Sequence, residues 1–123
     1  MKGRTYSMVG ESANVPYCPL VTPSGVITAR ITVNEGGYVK DDKVCVVNMK
    51  YTALKTAANS PSLLSDMPKA LTEASLSCVD ITSGVTSAIG DNIPCAVAKD
   101  GKLWVQSITT DHIYAITGSY IMA

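Results

Sequence analysis

A ten-residue stretch recurs fifty positions on in this chain, and the repeat constrains the fold more than any other feature. Tyr38-Val-Lys-Asp-Asp-Lys-Val-Cys-Val-Val47 lies over Ala88-Ile-Gly-Asp-Asn-Ile-Pro-Cys-Ala-Val97. Asp41 falls over Asp91, Asp42 over Asn92, Cys45 over Cys95 and Val47 over Val97, and upstream Ile31-Thr32 falls over Ile81-Thr82. In each copy a short acidic or amide turn feeds a run of small apolar residues, the pattern of a tight turn entering a buried strand. The offset predicts two equivalent β units, 31–47 and 81–97, packed together with Cys45 and Cys95 buried at matching places.

With 123 residues the chain is one domain with room for a real core. Hydrophobic residues at 46% against 16% charged exclude a disordered chain and leave a charge-poor surface. Ten basic and ten acidic residues are scattered without a run, so no basic stripe tracks phosphates and nucleic-acid binding is not expected. A neutral surface protects a free monomer poorly, which favours a chain that works assembled. No apolar h-region follows Met1–Tyr6, so no signal peptide is expected. The longest uncharged run, Ser12 to Ala29, holds Pro16, Pro19 and Pro23 and cannot be a membrane helix.

Residues 1–24 read as an extended N-terminal arm, and 25–123 as a single β-rich domain. Tyr6, Met8, Val15, Tyr17 and Leu20 show no periodic face, and Gly10 and three prolines break any helix. Val26–Val33 alternates as a strand, and Asn34-Glu-Gly-Gly37 is expected to turn it. Lys43–Tyr51 is the next strand, with Cys45, Val47, Met49 and Tyr51 on one face and a first half buried on both sides. Ala53, Leu54, Ala57 and Ala58, and later Ala70, Leu71 and Ala74, recur at helical spacing, which predicts a short helical insertion around 52–75. Leu63, Leu64, Met67 and Leu71 would plug an open end of the core.

Ser77–Ile81 is a strand followed by a turn at Thr82-Ser-Gly84. Lys99-Asp-Gly-Lys102 closes a hairpin of Ile93–Ala98 and Lys102–Ile108, with positive φ expected at both central residues. Two last strands, Ile113–Thr117 and Ser119–Met122, are separated by Gly118, and the apolar C-terminal residues read as packed strand. The fold is therefore mainly β, a compact barrel or sandwich.

Little in the chain carries chemistry. Cys18, Cys45, Cys78 and Cys95 lack the paired spacing of a zinc site and are expected to be free thiols. His112 is the only histidine, and its neighbour Asp111 would project to the opposite side of a strand. Asp41-Asp42, between Lys40 and Lys43, solvate a turn rather than share a proton. Gly36 and Gly37 join strands, the wrong context for a phosphate loop. Trp104 has no aromatic at i±2 and reads as a core or interface anchor. Neither enzyme activity, cofactor nor metal is expected.

The Asp-initiated turns with their small-apolar strands, followed by Ile93-Pro-Cys-Ala-Val-Ala-Lys-Asp-Gly-Lys-Leu-Trp-Val105, resemble the capsid decoration (cement) and head-fibre proteins of tailed bacteriophages over 26–51 and 81–108. The resemblance implies a monomeric or trimeric clamp on the outer capsid surface that stabilises the shell, assembled in the host cytoplasm. It implies an arm contacting the major capsid protein, and no cofactor; on the charge and hydropathy above, neither nucleic acid nor membrane is expected as a partner. The candidate interface is then Tyr6, Met8, Val15, Tyr17 and Leu20 of the arm, with Trp104. The alternative is a fibre or tail-tip module recognising a host surface ligand; a small hydrolase using His112 is a third reading.

Overall fold

The alternation of Cys45, Val47, Met49 and Tyr51 with Val46, Asn48 and Lys50 builds the strand on which the rest is laid. The computed structural model describes residues 19–82 and 92–123, and there this segment is β2 (Val44–Ala53), with the first set buried and the second exposed. It pairs antiparallel with β1 (Ile31–Asp41) on one side and β7 (Ile113–Ile121) on the other. The remaining strands are β3 (Ser62–Leu64), β4 (Ala74–Asp80), β5 (Cys95–Val97) and β6 (Leu103–Val105). All pair antiparallel in one seven-stranded sheet, ordered β1-β2-β7-β4-β5-β6-β3.

The sheet curls into a nearly closed barrel, and its two edge strands are bridged by the chain ahead of β1. Val21 exchanges both backbone bonds with Tyr38 of β1, at 2.7 and 3.0 Å. A few residues on, the Ile27 amide donates to Leu63 of β3 at 3.0 Å, and Ser65 to Gly25 at 2.9 Å. This strap, 21–27, occupies the donors and acceptors that two open edges would otherwise present. The barrel thus takes in residues ahead of Gly25, whereas the arm as far as residue 18 lies outside the described residues.

Inside, Tyr51 stacks on Tyr114 with ring centroids 5.2 Å apart at 24°, and the Tyr51 hydroxyl lies 3.7 Å from the Cys78 thiol. Burial pushes the Cys78 thiol up to about 11 and the Tyr51 hydroxyl up as well, so both stay neutral. Tyr120 donates its hydroxyl to the Pro68 carbonyl at 2.7 Å, tying β7 to the loop before β4.

The mainly β barrel is as the sequence predicts; the helical insertion is not there. Across 52–75 the chain completes β2, exchanges two backbone bonds between Ala57 and Ile108, forms β3 and enters β4. Asn59 and Ser60 take positive φ (65° and 58°) ahead of Pro61, which no helix accommodates. Short apolar runs carry too little periodicity to separate helix from strand, and isolated helices of that length are marginal. Leu63, Leu64 and Met67 are core, but Leu71 is exposed.

Three turns also differ. The Val26–Val33 strand begins only at Ile31 and runs straight through Gly36-Gly37 to Asp41, with an irregular register between Val33 and Glu35. Gly36 sits at φ 85°, where a Cβ would meet the Asn48 carbonyl, so the glycines let neighbouring backbone approach rather than reverse the chain. The reversal is at Asp42-Lys43, with Asp42 at φ 56°. At the second hairpin Gly101 (φ 90°) has positive φ but Asp100 does not; Asp100 instead accepts the Lys102 amide on its carboxylate at 3.0 Å. Gly118 lies within a continuous β7. Val46 is exposed, so the first half of β2 is buried on one side only.

Cys45 lies on β2 between β1 and β7, and Cys95 on β5 between β4 and β6; both are buried on interior strands. Residues 83–91, most of the first limb of the second copy, lie outside the described residues, as does the turn at Gly84. Among the described residues Cys45, Cys78 and Cys95 are free thiols; Cys18 lies outside them.

Candidate functional site

The one constellation of chemical interest forms where β4 ends and β7 begins. Asp80, last residue of β4, is 4% exposed and is the buried charged side chain of the described core. Its Oδ1 accepts the Thr82 hydroxyl at 2.6 Å and the Thr82 amide at 3.0 Å, an Asx turn that folds the chain back on itself. Its Oδ2 faces His112 Nδ1 at 2.7 Å. Thr82 Oγ1 in turn accepts the Ile113 amide at 2.9 Å, and Ile81 donates to the Ile113 carbonyl at 2.9 Å. Burial works against the Asp80 charge, but the Thr82 hydroxyl, His112 and the Thr82 amide outweigh it and hold the carboxyl below its ordinary value.

An Asp–His pair of this kind fixes the imidazole tautomer, with the proton on Nδ1 facing the carboxylate and Nε2 the second ring nitrogen. Nucleophilic catalysis needs a hydroxyl or thiol in reach of Nε2. The Thr82 hydroxyl is already engaged at both ends, as donor to Asp80 and acceptor from Ile113. The Thr82 bonds to Asp80 shape the local turn, and the His112 and Ile113 bonds fasten the end of β4 to the start of β7. Sequence reasoning sets Asp111 aside as a partner for His112, expecting it on the opposite side of a strand; Asp111 is in fact exposed in a turn at φ 68°, and the partner is Asp80. The usable signal was Asp80-Ile-Thr82, the spacing of an Asx turn, although nothing local ties it to a residue 32 positions away.

Of the predicted interface residues, Tyr6, Met8, Val15 and Tyr17 lie outside the described residues. Leu20 is 58% exposed and borders a shallow groove with Glu35, Asn48 and Lys50 on the outer wall of β1 and β2. Glu35 and Lys50 pair across it at 3.2 Å. Trp104 is half-buried on β6, opposite Ser62 and Ala96. Leu20 lies beside β1, and Trp104 lies on β6 opposite Ser62 of β3. Among the described residues no group of three or more His, Cys, Asp or Glu side chains could hold a metal, and no helix is long and apolar enough to cross a membrane. No family model matches the chain, and no curated protein matches it.

Proposed function

We propose that this chain is a non-enzymatic virion structural protein, a capsid decoration protein of a tailed bacteriophage that binds the major capsid protein from outside and stabilises the shell. The observation that carries this reading is the relation between the strap and Leu20. The strap is locked to both barrel edges, and one residue upstream Leu20 stands exposed on the outer wall. The proposed capsid contact falls on residues 1–18, which precede this external, partly apolar corner, with Tyr6, Met8, Val15 and Tyr17 as its apolar residues. Each arm contributes modest apolar contact, and many identical sites on a shell multiply it. The free buried thiols agree with assembly in a reducing host cytoplasm.

Sedimenting the purified chain with capsids of the phage that encodes it tests the proposal. Binding that saturates at a fixed number of copies per capsomer and raises the temperature of shell disruption is expected. Absence of saturable binding overturns it.

A further inference from the structure

Three of the five large hydrophobics that the described residues expose, Val46 (46%), Leu71 (56%) and Ile121 (50%), lie together on one outer surface. Register places them there. Val39 is opposite Val46 across β1 and β2, and Val44 is opposite Ile121 across β2 and β7. Side chains directly opposite in antiparallel strands share a face. Leu71 is held beside Ile121 by its amide, which donates to the Ile121 carbonyl at 2.9 Å. The strip Val39, Val44, Val46, Ile121 and Leu71 is apolar, with Ser119 opposite Val46 and Asp41 opposite Val44 at its border, and an apolar patch on an exposed surface marks an interaction site.

The rim of the strip says what covers it. The β1–β2 turn that borders it reads Lys40-Asp41-Asp42-Lys43, two cations flanking two anions, all four exposed. Among the described residues, the ion pairs within 4 Å are Glu35–Lys50 and Asp80–His112, so none of these four charges is paired with another described residue. An apolar strip next to a rim with equal numbers of both signs complements itself: turned about a two-fold axis beside the turn, each copy's lysines meet the other's aspartates. A foreign partner would need its own matching charges; a second copy supplies them by symmetry.

We infer that a second copy of this chain docks here, face to face, with Val46 and Ile121 at the centre and the 40–43 turns crossing at the rim. The pairing needs no capsid, so it stands or falls separately from the proposed function.

Sedimentation equilibrium of the full chain decides it, over about 1 to 200 µM, the range suited to an interface of small area. Twice the monomer mass is expected. Val46→Glu and Ile121→Lys should each weaken association at least tenfold with the thermal transition retained, while Leu54→Lys, on a separate exposed hydrophobic, should not. Lys40→Glu/Lys43→Glu and Asp41→Lys/Asp42→Lys should each weaken it alone, and their equimolar mixture should restore a mixed dimer. This last arm reads the rim even where a strip variant fails to fold. A monomer throughout the range, a trimer, a dimer indifferent to both strip variants, or a mixture that stays apart overturns the inference.

Discussion

The barrel has two unlike walls. β1, β2 and β7 are 9 to 11 residues long and share long registers, whereas β3, β5 and β6 are three residues each and lean on turns, isolated bridges and the strap. The long wall exposes Val46 and Ile121 on its outer face, and the surfaces argued to bind lie on it. The short wall is closed by specific local contacts: the Gly101 turn, the Ala57–Ile108 exchange and the Ser24 amide and hydroxyl on Asp66 Oδ2 at 2.9 and 2.8 Å. Both walls bury their inner faces, with Leu63, Leu64, Val97, Leu103 and Val105 of the short wall in the core; the contrast is that the short wall adds local fastenings where its registers are too short to hold the strands by pairing alone.

The largest effect should come from the long wall's core. Tyr51→Ala removes a fully buried ring stacked on Tyr114 and should cost about 3–5 kcal/mol in chemical denaturation. A cost below 1 kcal/mol would mean that packing there does not carry the fold. Next, Gly37→Val probes the junction between the walls, because any Cβ at Gly37 runs into the Val21 carbonyl of the strap. It should cost about 1–3 kcal/mol and raise amide exchange at Val21 and Tyr38 above that in the rest of β1.

The buried clasp at the end of β4 should matter through charge. With the Asp80 carboxyl held low, its stabilisation is fully present above the ordinary carboxylate range and is lost as pH falls through the depressed folded value. Asp80→Asn should cost about 1.5–3 kcal/mol at pH 7, the scale of hydrogen bonds to a charged group. It should also flatten the decline of stability seen in the wild type below about pH 4. An unchanged acid slope would contradict the clasp.

The smallest effect should be at Asp66, the half-buried counterpart. Its burial also opposes the charge and its Ser24 bonds prevail, lowering the carboxyl, but the Ser24 that makes them is itself exposed to solvent. Asp66→Ala should cost about 1 kcal/mol or less, with the loss confined to exchange around 21–27. A cost equal to that of Asp80→Asn would erase the distinction between the buried clasp and the strap's fastening.

What was legible in the sequence follows the same division. Strict alternation from Cys45 to Tyr51 announces β2 because one face is core and the other solvent, and the Asp-Gly dipeptide announces the β5–β6 hairpin. Residues 52–75 misled because alanines and leucines at helical spacing are equally at home in bridges and short strands, and the deciding partner, Ile108, is far away in sequence. The strap was hidden for a like reason: prolines and glycine suggest a segment outside the core, while its bonds go to Tyr38 and Leu63. The Asp80–His112 pair combines a local Asx turn, readable from spacing, with a long-range contact that is not.

Removing residues 1–18 while keeping the strap from Pro19 onward tests the central claim most directly, with unfolding and capsid sedimentation measured on the same preparation. The account predicts an unfolding free energy within about 1 kcal/mol of the full chain, since the barrel closes through 21–27, together with loss of saturable capsid binding. A truncated chain that binds capsids with unchanged affinity, or one that no longer folds, would contradict it.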